Sequence, residues 1–508
     1  MNKIVGIDLG TTFSSIAIVN KYGQPEIITN QAGERLTPSV VLFDGETPIV
    51  GSIAKRSAVA NSLNIVGFVK RHMGNPNYKF RTEGGTIYSP EEISAIILKR
   101  LKEDAEIRLG YKINDAVITV PAYFDDGRRK ATHDAGRIAG FNVRRIINEP
   151  TAAALAYGFD KSGVKHTLLV YDLGGGTFDV TIMEIGPGKL KVIATGGDRN
   201  LGGFNWDNEI MTYLNNEFQK NGGPDLSSDP SWQQELRNKA EIAKITLSSR
   251  DKTSVFFSIG GIDISIPFMR TQFEEFTNPL LNRTANIMES VLEDAHLNWK
   301  NINKVLLVGG STRMKAVPEL IERITGMKPS LEVNPDEAVS LGAAIQAALI
   351  QIEDGHSNIV EQSTFPLVEI KDVTAYSLGV IALNEFEKEV NSIVLNKNTQ
   401  IPCKVSDIFY TVEDDQQELD VRITVGEDID INGNIDIAAR SMIKISPYRK
   451  GAPVEVFFEY NIDGMIQVTV YDVTAKKNLG EITIKRTRNM DEKTVLEKTE
   501  KMRTLSIS

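Results

Sequence analysis

The sequence has 508 residues, which at about 100–200 residues per domain is enough for two to four domains. Hydrophobic residues make up 41% and charged residues 24%, a globular composition, and the net charge of -10 disfavours a protein that binds nucleic acid through its phosphates. A single cysteine, Cys403, excludes a disulfide within the chain and a thiolate metal site.

The N-terminus leads directly into a strand-like run, without the charged and apolar regions of a signal segment. No apolar run in the sequence approaches the ~18 residues that a membrane span needs. We therefore expect a cytoplasmic protein that makes no contact with a membrane.

A strand, a glycine turn and a second strand occur twice in the chain. The first copy lies at 4–19 and the second at 168–182, and a further strand and glycine turn follow at 305–313. The apolar runs are short and rich in β-branched residues, as in strands of a covered sheet. Helices rich in small residues, which allow close helix crossings, follow at 150–156 and 335–348. This pattern predicts two duplicated α/β lobes joined at a helical hinge.

A capped amphipathic helix is predicted between Ser89 and Gly110. Ser89 is suited to the N-cap, Glu92 stands at the third helical position, and Gly110 can end the helix in the left-handed conformation. Apolar residues recur at every fourth position from Ile93 to Ala105. We interpret that face as core rather than as a functional surface.

Beyond residue 365 the chain changes to short alternating strands. Residues 419–425 and 465–470 alternate apolar and polar side chains, and Asn432-Gly433 and Asp463-Gly464 are hairpin-type turns. This predicts an antiparallel β-sandwich of roughly a hundred residues. A short polar helix is expected after it, at 491–503.

Each Asp-Leu-Gly turn places a carboxylate beside unobstructed backbone N–H groups. Such N–H groups form an anion nest, and two nests facing each other across a cleft would hold a polyphosphate. Asp8 and Asp172 would then hold Mg²⁺ through its waters. A single copy could equally be a plain hairpin turn, but the second copy and the nearby Asp179 favour the phosphate site. The sequence contains no P-loop of the Gly-Lys-Ser/Thr kind.

Together these motifs resemble the signature set of the heat-shock 70 kDa, or DnaK-type, chaperone family. The matching segments are Asp8-Leu9-Gly10-Thr11-Thr12, Asn148-Glu149-Pro150-Thr151-Ala152-Ala153-Ala154, Asp172-Leu173-Gly174-Gly175-Gly176-Thr177-Phe178-Asp179 and Asn334-Pro335-Asp336-Glu337-Ala338-Val339. The resemblance extends from residue 1 to about 490. It implies an α/β actin-like ATPase domain of duplicated ribonuclease-H-like lobes, followed by an all-β sandwich domain.

The resemblance also implies domain limits. The nucleotide-binding domain would occupy 1–363 and the interdomain linker 364–372. The peptide-binding β-sandwich would occupy 373–487, and a truncated C-terminal helix 488–508.

The nucleotide site implied by the resemblance consists of small and polar residues at turns and strand ends. Gly10, Thr11, Thr12, Gly174, Gly175, Gly176 and Thr177 would embrace the phosphates, and Glu241, Lys244, Ser248, Gly309, Gly310, Ser311, Arg313 and Asp336 would surround adenosine. Asp8, Glu149, Asp172 and Asp179 would organise Mg²⁺ and water, and Asp8, Lys70, Glu149, Asp172 and Thr177 would form the catalytic set. The implied cofactors are ATP or ADP with Mg²⁺, and K⁺ is a further candidate.

Lys70 takes its role from the family register alone. A lysine in Phe68-Val69-Lys70-Arg71 would otherwise be typical of a solvated helix surface. In the family register it would orient the attacking water and stabilise negative charge on the γ-phosphate. Catalysis by positioning, without a strong base, suits an ATPase whose slow hydrolysis sets a time interval rather than a metabolic enzyme.

Residues 366–373 occupy the place of the family's apolar linker, although Glu369 and Lys371 interrupt it; a simple edge strand entering the sandwich is the alternative. Arg145 and Asp372 match the residues through which J-domain cochaperones act in this family. A J-domain partner is therefore implied.

Seven apolar residues of the sandwich align with the family's peptide groove. Singly, alternating apolar residues on strands are usually sandwich core. In register they predict a slot for an extended client segment, bound through main-chain hydrogen bonds and a pocket for Leu-like side chains. They are Val380, Ala382, Leu383, Phe409, Val412, Leu419 and Val421.

Three departures from the family pattern are visible. The segment 71–88 is shorter than in typical bacterial members of the family. The hairpin at 258–266 lacks the longer loop that helps those members to engage a nucleotide-exchange factor, so an exchange factor is an uncertain partner. The helical lid is reduced to about 491–503. The chain thus resembles the short bacterial HscC-type paralogues.

We therefore expect an ATP-dependent chaperone that binds extended hydrophobic segments of unfolded clients under nucleotide control. A sugar or metabolite kinase, a cytoskeletal filament protein, and a nucleotide-gated scaffold with little hydrolysis are the alternatives. The first two leave the β domain unexplained, and the combination of Lys70, Glu149 and Asp172 argues against the third.

Overall fold

The computed structural model describes residues 3–45, 47–158, 165–355, 368–483 and 490–508. The predicted domain limits near 363–364 and 487–488 fall outside these ranges. None of the helices in the described ranges is long and apolar enough to cross a lipid bilayer.

The first lobe contains eleven strands and four helices in its described residues. The strands are β1 (Ile4–Asp8), β2 (Phe13–Val19), β3 (Pro25–Ile28), β4 (Thr37–Pro38), β5 (Val40–Asp44), β6 (Thr47–Val50), β7 (Ile65–Gly67), β8 (Phe80–Arg81), β9 (Ile87–Tyr88), β10 (Asp115–Val120) and β11 (Asn142–Asn148). The helices are α1 (Ser52–Arg56), α2 (Pro90–Leu109), α3 (Asp126–Ile138) and α4 (Glu149–Gly158). The main sheet has the order β11-β10-β1-β2-β3.

The second lobe repeats this α/β construction. Its strands are β12 (His166–Leu173), β13 (Phe178–Gly186), β14 (Lys189–Asp198), β15 (Lys252–Ile259), β16 (Ile262–Met269) and β17 (Lys304–Val308). Its helices are α5 (Gly203–Lys220), α6 (Pro230–Leu247), α7 (Arg270–Asp294), α8 (Ala316–Thr325) and α9 (Ala338–Glu353).

The predicted duplication is visible in the strand pairing. In the first lobe β1 pairs antiparallel with β2 and parallel with β10. In the second lobe β12 pairs antiparallel with β13 and parallel with β17. Each glycine turn therefore lies at the same point of an equivalent sheet, which confirms the two-lobe prediction in this coarse form.

Helices α4 and α9 cross where the two lobes meet. A Cβ added at Gly342 of α9 would lie 1.7 Å from the Ala152 carbonyl oxygen of α4, so the two backbones are in direct contact there. Only glycine fits this crossing, because a side chain would force the helices apart. The small-residue pattern thus correctly predicted a close helix crossing.

Helix α2 begins and ends as its sequence predicts. The Ser89 side chain accepts a hydrogen bond from the Glu92 N–H, and the Glu92 carboxylate accepts one from the Ser89 N–H. Gly110 follows the last turn with φ 76°. The face from Ile93 to Ala105 is buried in the core of the first lobe.

The C-terminal part is a sandwich of two four-stranded sheets, as predicted. Its eight strands are β19 (Leu378–Leu383), β20 (Glu389–Leu395), β22 (Cys403–Tyr410), β23 (Gln416–Val425), β24 (Asp436–Tyr448), β25 (Pro453–Tyr460), β26 (Ile466–Asp472) and β27 (Lys477–Thr483). Two further strands of this part, β18 (Glu369–Val373) and β21 (Gln400–Ile401), extend the second-lobe sheet. The sheets have the orders β20-β19-β23-β24 and β22-β25-β26-β27.

Strand β18 connects the sandwich to the second lobe. It pairs parallel with β14 through Glu369 to Lys371 and antiparallel with β21 through Asp372 and Val373. The predicted linker is therefore also a strand of the second-lobe sheet, between β14 and β21. Residues 364–367 of that predicted linker lie outside the described residues.

The last helix, α10 (Glu492–Thr504), packs on the first lobe. Val495 and Met502 are buried in the same hydrophobic core as α2 and α3. Arg137 of α3 pairs with Glu492, and Lys99 of α2 donates to the carbonyl oxygens of Met502 and Leu505.

Candidate functional site

A cavity of about 650 Å³ lies between the two lobes, within the usual size range of small-molecule sites. The glycine turns after β1 and β12 both line it. Of the predicted nucleotide residues, the structure brings together here Asp8, Gly10, Thr11, Thr12, Lys70, Glu149, Asp172, Gly174, Gly175, Thr177, Glu241, Lys244, Ser248, Gly309, Gly310, Ser311, Arg313 and Asp336.

The two turns touch each other at the cavity wall. A Cβ added at Gly175 would lie 2.5 Å from Thr12 Cγ2, so the backbone of the second turn rests on a threonine of the first. The contact leaves hydroxyl groups and backbone N–H groups at the cavity surface. Such groups can donate hydrogen bonds to the oxygens of a polyphosphate.

Four carboxyl groups gather near this contact. Asp8 ends β1, Glu149 begins α4, and Asp172 and Asp179 stand opposite each other on β12 and β13. Asp8 Oδ1 accepts a hydrogen bond of 3.2 Å from the Thr119 hydroxyl. The strand pairing therefore brings together acids that are far apart in the sequence.

Burial raises the pKa of these aspartates. It raises the pKa of Asp8 and of Asp179 to about 7, and the pKa of Asp172 well above its usual range. Repulsion from Glu149 adds to each shift, and the positive charge of Lys70 partly offsets it. Burial and mutual repulsion thus disfavour the charged form of these three acids.

Lys70 lies in a 3₁₀ turn, Val69–His72, and is buried. Its ammonium group pairs with Glu149. Burial lowers the pKa of Lys70, but Glu149 and Asp8 more than offset this, and the pKa lies above its ordinary value. Lys70 is therefore a buried cation held beside the carboxylates.

The acids fit a hydrated divalent cation. Asp172 Oδ2 is buried and has no hydrogen-bond partner in the described part of the chain. No three or more His, Cys, Asp or Glu side chains in the described ranges are arranged to ligate a metal directly. Mg²⁺ commonly keeps several waters and contacts one or two carboxylates, which agrees with both observations.

The other end of the cavity lies between α6 and the turn after β17. Lys244 pairs with Asp207 at 2.7 Å, and Arg313 Nη2 lies 2.5 Å from Asp336 Oδ2. Lys55 of the first lobe pairs with Glu241 of the second at 2.7 Å, across the cavity mouth. Further lining residues that sequence reasoning missed include Phe13, Leu36, Ile245 and Met314.

Two predicted nucleotide residues do not line the cavity. Gly176 packs against the Thr11 side chain. Asp179 lies behind Asp172, and its Oδ1 accepts a hydrogen bond of 2.9 Å from the backbone N–H of Tyr123. Asp179 is therefore positioned to act through its neighbours rather than at the cavity surface.

The predicted interdomain residues lie where the sandwich meets the first lobe. Asp372 Oδ2 accepts from Asn148 Nδ2 at 2.8 Å and from the Thr151 hydroxyl at 3.1 Å. Arg145 Nε lies 3.9 Å from Asp463 Oδ1 in the turn between β25 and β26.

Sequence reasoning missed several other contacts of this junction. Arg129 Nη1 donates to the Asp463 carbonyl oxygen at 3.5 Å, and the Ile466 N–H donates to Asp126. Tyr376 donates to the Tyr123 carbonyl. Most of these bonds use backbone groups, which leave no signature in residue spacing.

The predicted groove residues divide into two groups. Val380 and Val421 are buried in the sandwich core, and Phe409 and Leu419 are partly buried against it. Leu383 and Val412 remain 45% and 40% exposed, and Ala382 is half-buried. The exposed pair ends β19 and follows β22, so it is available to an incoming segment.

A family model described as Hsp70 protein matches residues 4–506. The match covers nearly the whole chain, and the chain therefore belongs to the Hsp70 family. This is a family of nucleotide-binding chaperones with ATPase activity that act on polypeptide clients. The match does not favour the kinase alternative.

Proposed function

We propose that this chain hydrolyses ATP in the cavity between its lobes and thereby controls the binding of extended hydrophobic client segments to its sandwich. The observation that carries the proposal is the pair of glycine turns that meet at the wall of one cavity, with Lys70 and three of the acids lining it beside them. The actin-like fold and the nucleotide-binding limits 1–363 belong to this proposal. So do the linker at 364–372, the peptide-binding domain at 373–487 and the C-terminal helix at 488–508.

In this proposal the chain's residues act by charge and position. ATP with Mg²⁺ would supply the transferable phosphoryl group. Asp8 and Asp172 hold the hydrated cation, while Gly10, Thr11 and Gly175 present donors to phosphate oxygens. Lys70, fixed by Glu149, holds positive charge where negative charge would develop.

The proposal also covers the partner proteins and the cellular location of this chain. Arg145 and Asp372, at the junction of the sandwich with the first lobe, are the residues through which a J-domain cochaperone would act, and the short turn at Gly260-Gly261 between β15 and β16 leaves little loop for an exchange factor. Kinship with HscC-type paralogues and a cytoplasmic location belong to the same proposal.

The test is a Mg²⁺ titration of single-turnover ATP hydrolysis with the wild type, Asp8→Asn and Asp172→Asn. Each substitution removes a charge from the cation site, so we expect the half-saturating Mg²⁺ concentration to rise about tenfold or more, since bonds to charged groups contribute ~1.5–3 kcal/mol. Asp134→Asn is the control, because Asp134 is buried on α3 and pairs with Lys130. Unchanged titrations in both site variants, or no hydrolysis by the wild type, would overturn the proposal.

A further inference from the structure

Tyr376, in the segment between β18 and β19, forms a direct contact between the sandwich and the first lobe. Its hydroxyl donates a hydrogen bond of 2.6 Å to the Tyr123 carbonyl oxygen. The two rings lie 4.3 Å apart between centroids and are tilted by 46°. The contact combines a short hydrogen bond with aromatic packing, so it fixes both the position and the orientation of Tyr123.

Tyr123 in turn contacts one of the buried acids. Its backbone N–H donates to Asp179 Oδ1 at 2.9 Å, while its carbonyl oxygen accepts from Tyr376. One residue of the loop between β10 and α3 therefore connects a sandwich side chain with a carboxylate of the candidate cation site. The pathway contains two hydrogen bonds and a single intervening residue.

The Asp179 carboxylate is placed where a change in its hydrogen bond with Tyr123 would affect it. It is 1% exposed and stands opposite Asp172 in the β12–β13 pair. A carboxylate in a low-dielectric site depends strongly on each donor it retains. A shift of the Tyr123 N–H would therefore change the orientation of Asp179 beside Asp172.

We propose that Tyr376 is a positioning residue for Asp179, acting through the backbone of Tyr123, so that docking of the sandwich orients Asp179 and, through it, the paired Asp172 that lines the cavity. The inference rests on the proposed nucleotide site. Thermodynamic linkage makes the effect reciprocal: nucleotide with Mg²⁺ stabilises the Tyr376–Tyr123 contact to the extent that the contact improves their binding.

Other hydrogen bonds at the junction between the sandwich and the first lobe do not lead to Asp179. Asp372 reaches Asn148 and Thr151, and Arg129 also donates to Asn148, which precedes Glu149. These bonds act at the Glu149 end of the acid cluster. An experiment on Tyr376 must therefore read its effect at Asp179 specifically.

The test is a double-mutant cycle of Tyr376→Phe and Asp179→Ala in the full chain, since alanine removes the oxygen that accepts from the Tyr123 N–H. Tyr376→Phe retains the ring and removes only the hydroxyl. Binding of a non-hydrolysable ATP analogue with Mg²⁺ is measured by calorimetry. We expect Tyr376→Phe to weaken binding about two- to fivefold with Asp179 present and by less than about 1.5-fold in the Asp179→Ala background, since groups in one hydrogen-bond network do not act additively.

Hydrogen exchange of the amides at 121–126 provides a readout that is independent of binding. Tyr376→Phe should accelerate exchange there, and the ATP analogue should slow it less than in the wild type. Tyr448→Phe is the matched control, because its hydroxyl bonds Asp472 within the sandwich. That variant should leave both binding and exchange at 121–126 unchanged.

Each result decides the proposal. Equal losses with and without Asp179, or no loss in either background, would overturn the relay while leaving the nucleotide site intact. Absence of analogue binding by the wild type would overturn both the relay and the proposed function.

Discussion

At the scale of single residues, the pairing of Lys70 with Glu149 is central to the chemistry of the site. The lysine neutralises part of the negative charge of the acid cluster while remaining buried. A second lysine, Lys55, pairs with Glu241 at the cavity mouth and is partly exposed. The two ion pairs therefore have different expected roles, one in hydrolysis and the other in closing the cavity.

Lys70→Ala should retain ATP binding within about threefold but lower single-turnover hydrolysis at least about 100-fold, the usual loss when one electrostatic donor to the transition state is removed. Lys55→Ala should leave hydrolysis unchanged and accelerate ADP release by up to about fivefold, since partly exposed ion pairs contribute ~0.2–1 kcal/mol. Stopped-flow release of a fluorescent ADP and rapid-quench hydrolysis separate the two. Loss of nucleotide binding with normal turnover per bound ATP in Lys70→Ala would contradict the assignment.

The sequence identified much of the cavity at this scale. Asp8 and Asp172 follow apolar strands in a repeated motif, so their convergence followed from the duplication. The positions of Asp179 and Tyr376 did not follow from it. Their partner is the backbone of Tyr123, and a backbone group offers its donor and acceptor whatever the side chain, so no residue pattern signals the contact.

At the scale of elements, local signals predicted helices and strands, while the packing partners of several elements depend on tertiary contacts. The capping box and the closing glycine defined α2. The apolar alternation predicted the sandwich strands, but the pairing of β18 with β14 could not be inferred, because Glu369 and Lys371 break its apolar run. In this part β18 pairs with β14, while β21 pairs only with Asp372 and Val373, and Glu369 is exposed and Lys371 half-buried.

Helix α10 was likewise predicted as an element, whereas its packing position was not. Its limits were predicted to within about one residue, which is the usual uncertainty of helix ends. Its position on α2 and α3 was not predicted, because few of its residues are apolar and only Val495 and Met502 are buried. Two adjacent residues, Val495 and Leu496, provide a matched test of that position.

Val495→Asp should detach α10 from the first lobe, because Val495 is 0% exposed and a carboxylate there would lose its hydration. Leu496→Asp should have little effect, since Leu496 is 56% exposed. Trypsin cleavage after Lys498, whose side chain pairs with Glu92, reports the detachment. We expect at least about tenfold faster cleavage in Val495→Asp, which requires only ~1.4 kcal/mol. Equal cleavage rates in the two variants would show that α10 is not held by this core.

At the scale of the whole molecule, the sandwich is held against the first domain at several separate places. Strand β18 joins it to the second lobe, and the Asp463 turn and Tyr376 join it to the first. Lys397 adds an ion pair with Asp294 of α7 at 2.8 Å. The sandwich therefore contacts both of the lobes that line the cavity.

This arrangement leads to a prediction for client release. Helix α10 packs on the first lobe, and Leu383 and Val412 remain exposed at one end of the sandwich. A labelled leucine-rich peptide bound there should dissociate within seconds in the presence of an ATP analogue, because affinity differences among related complexes lie mainly in off-rates.

Val412→Asp should weaken the binding of this peptide about fivefold or more, as expected for a contact worth above ~1 kcal/mol. Ile437→Asp is the matched control: Ile437 is also exposed, but it pairs with Thr424, at the other end of β23. Stopped-flow fluorescence measures both quantities, and release over many minutes, or equal losses in the two variants, would place the client elsewhere on the molecule.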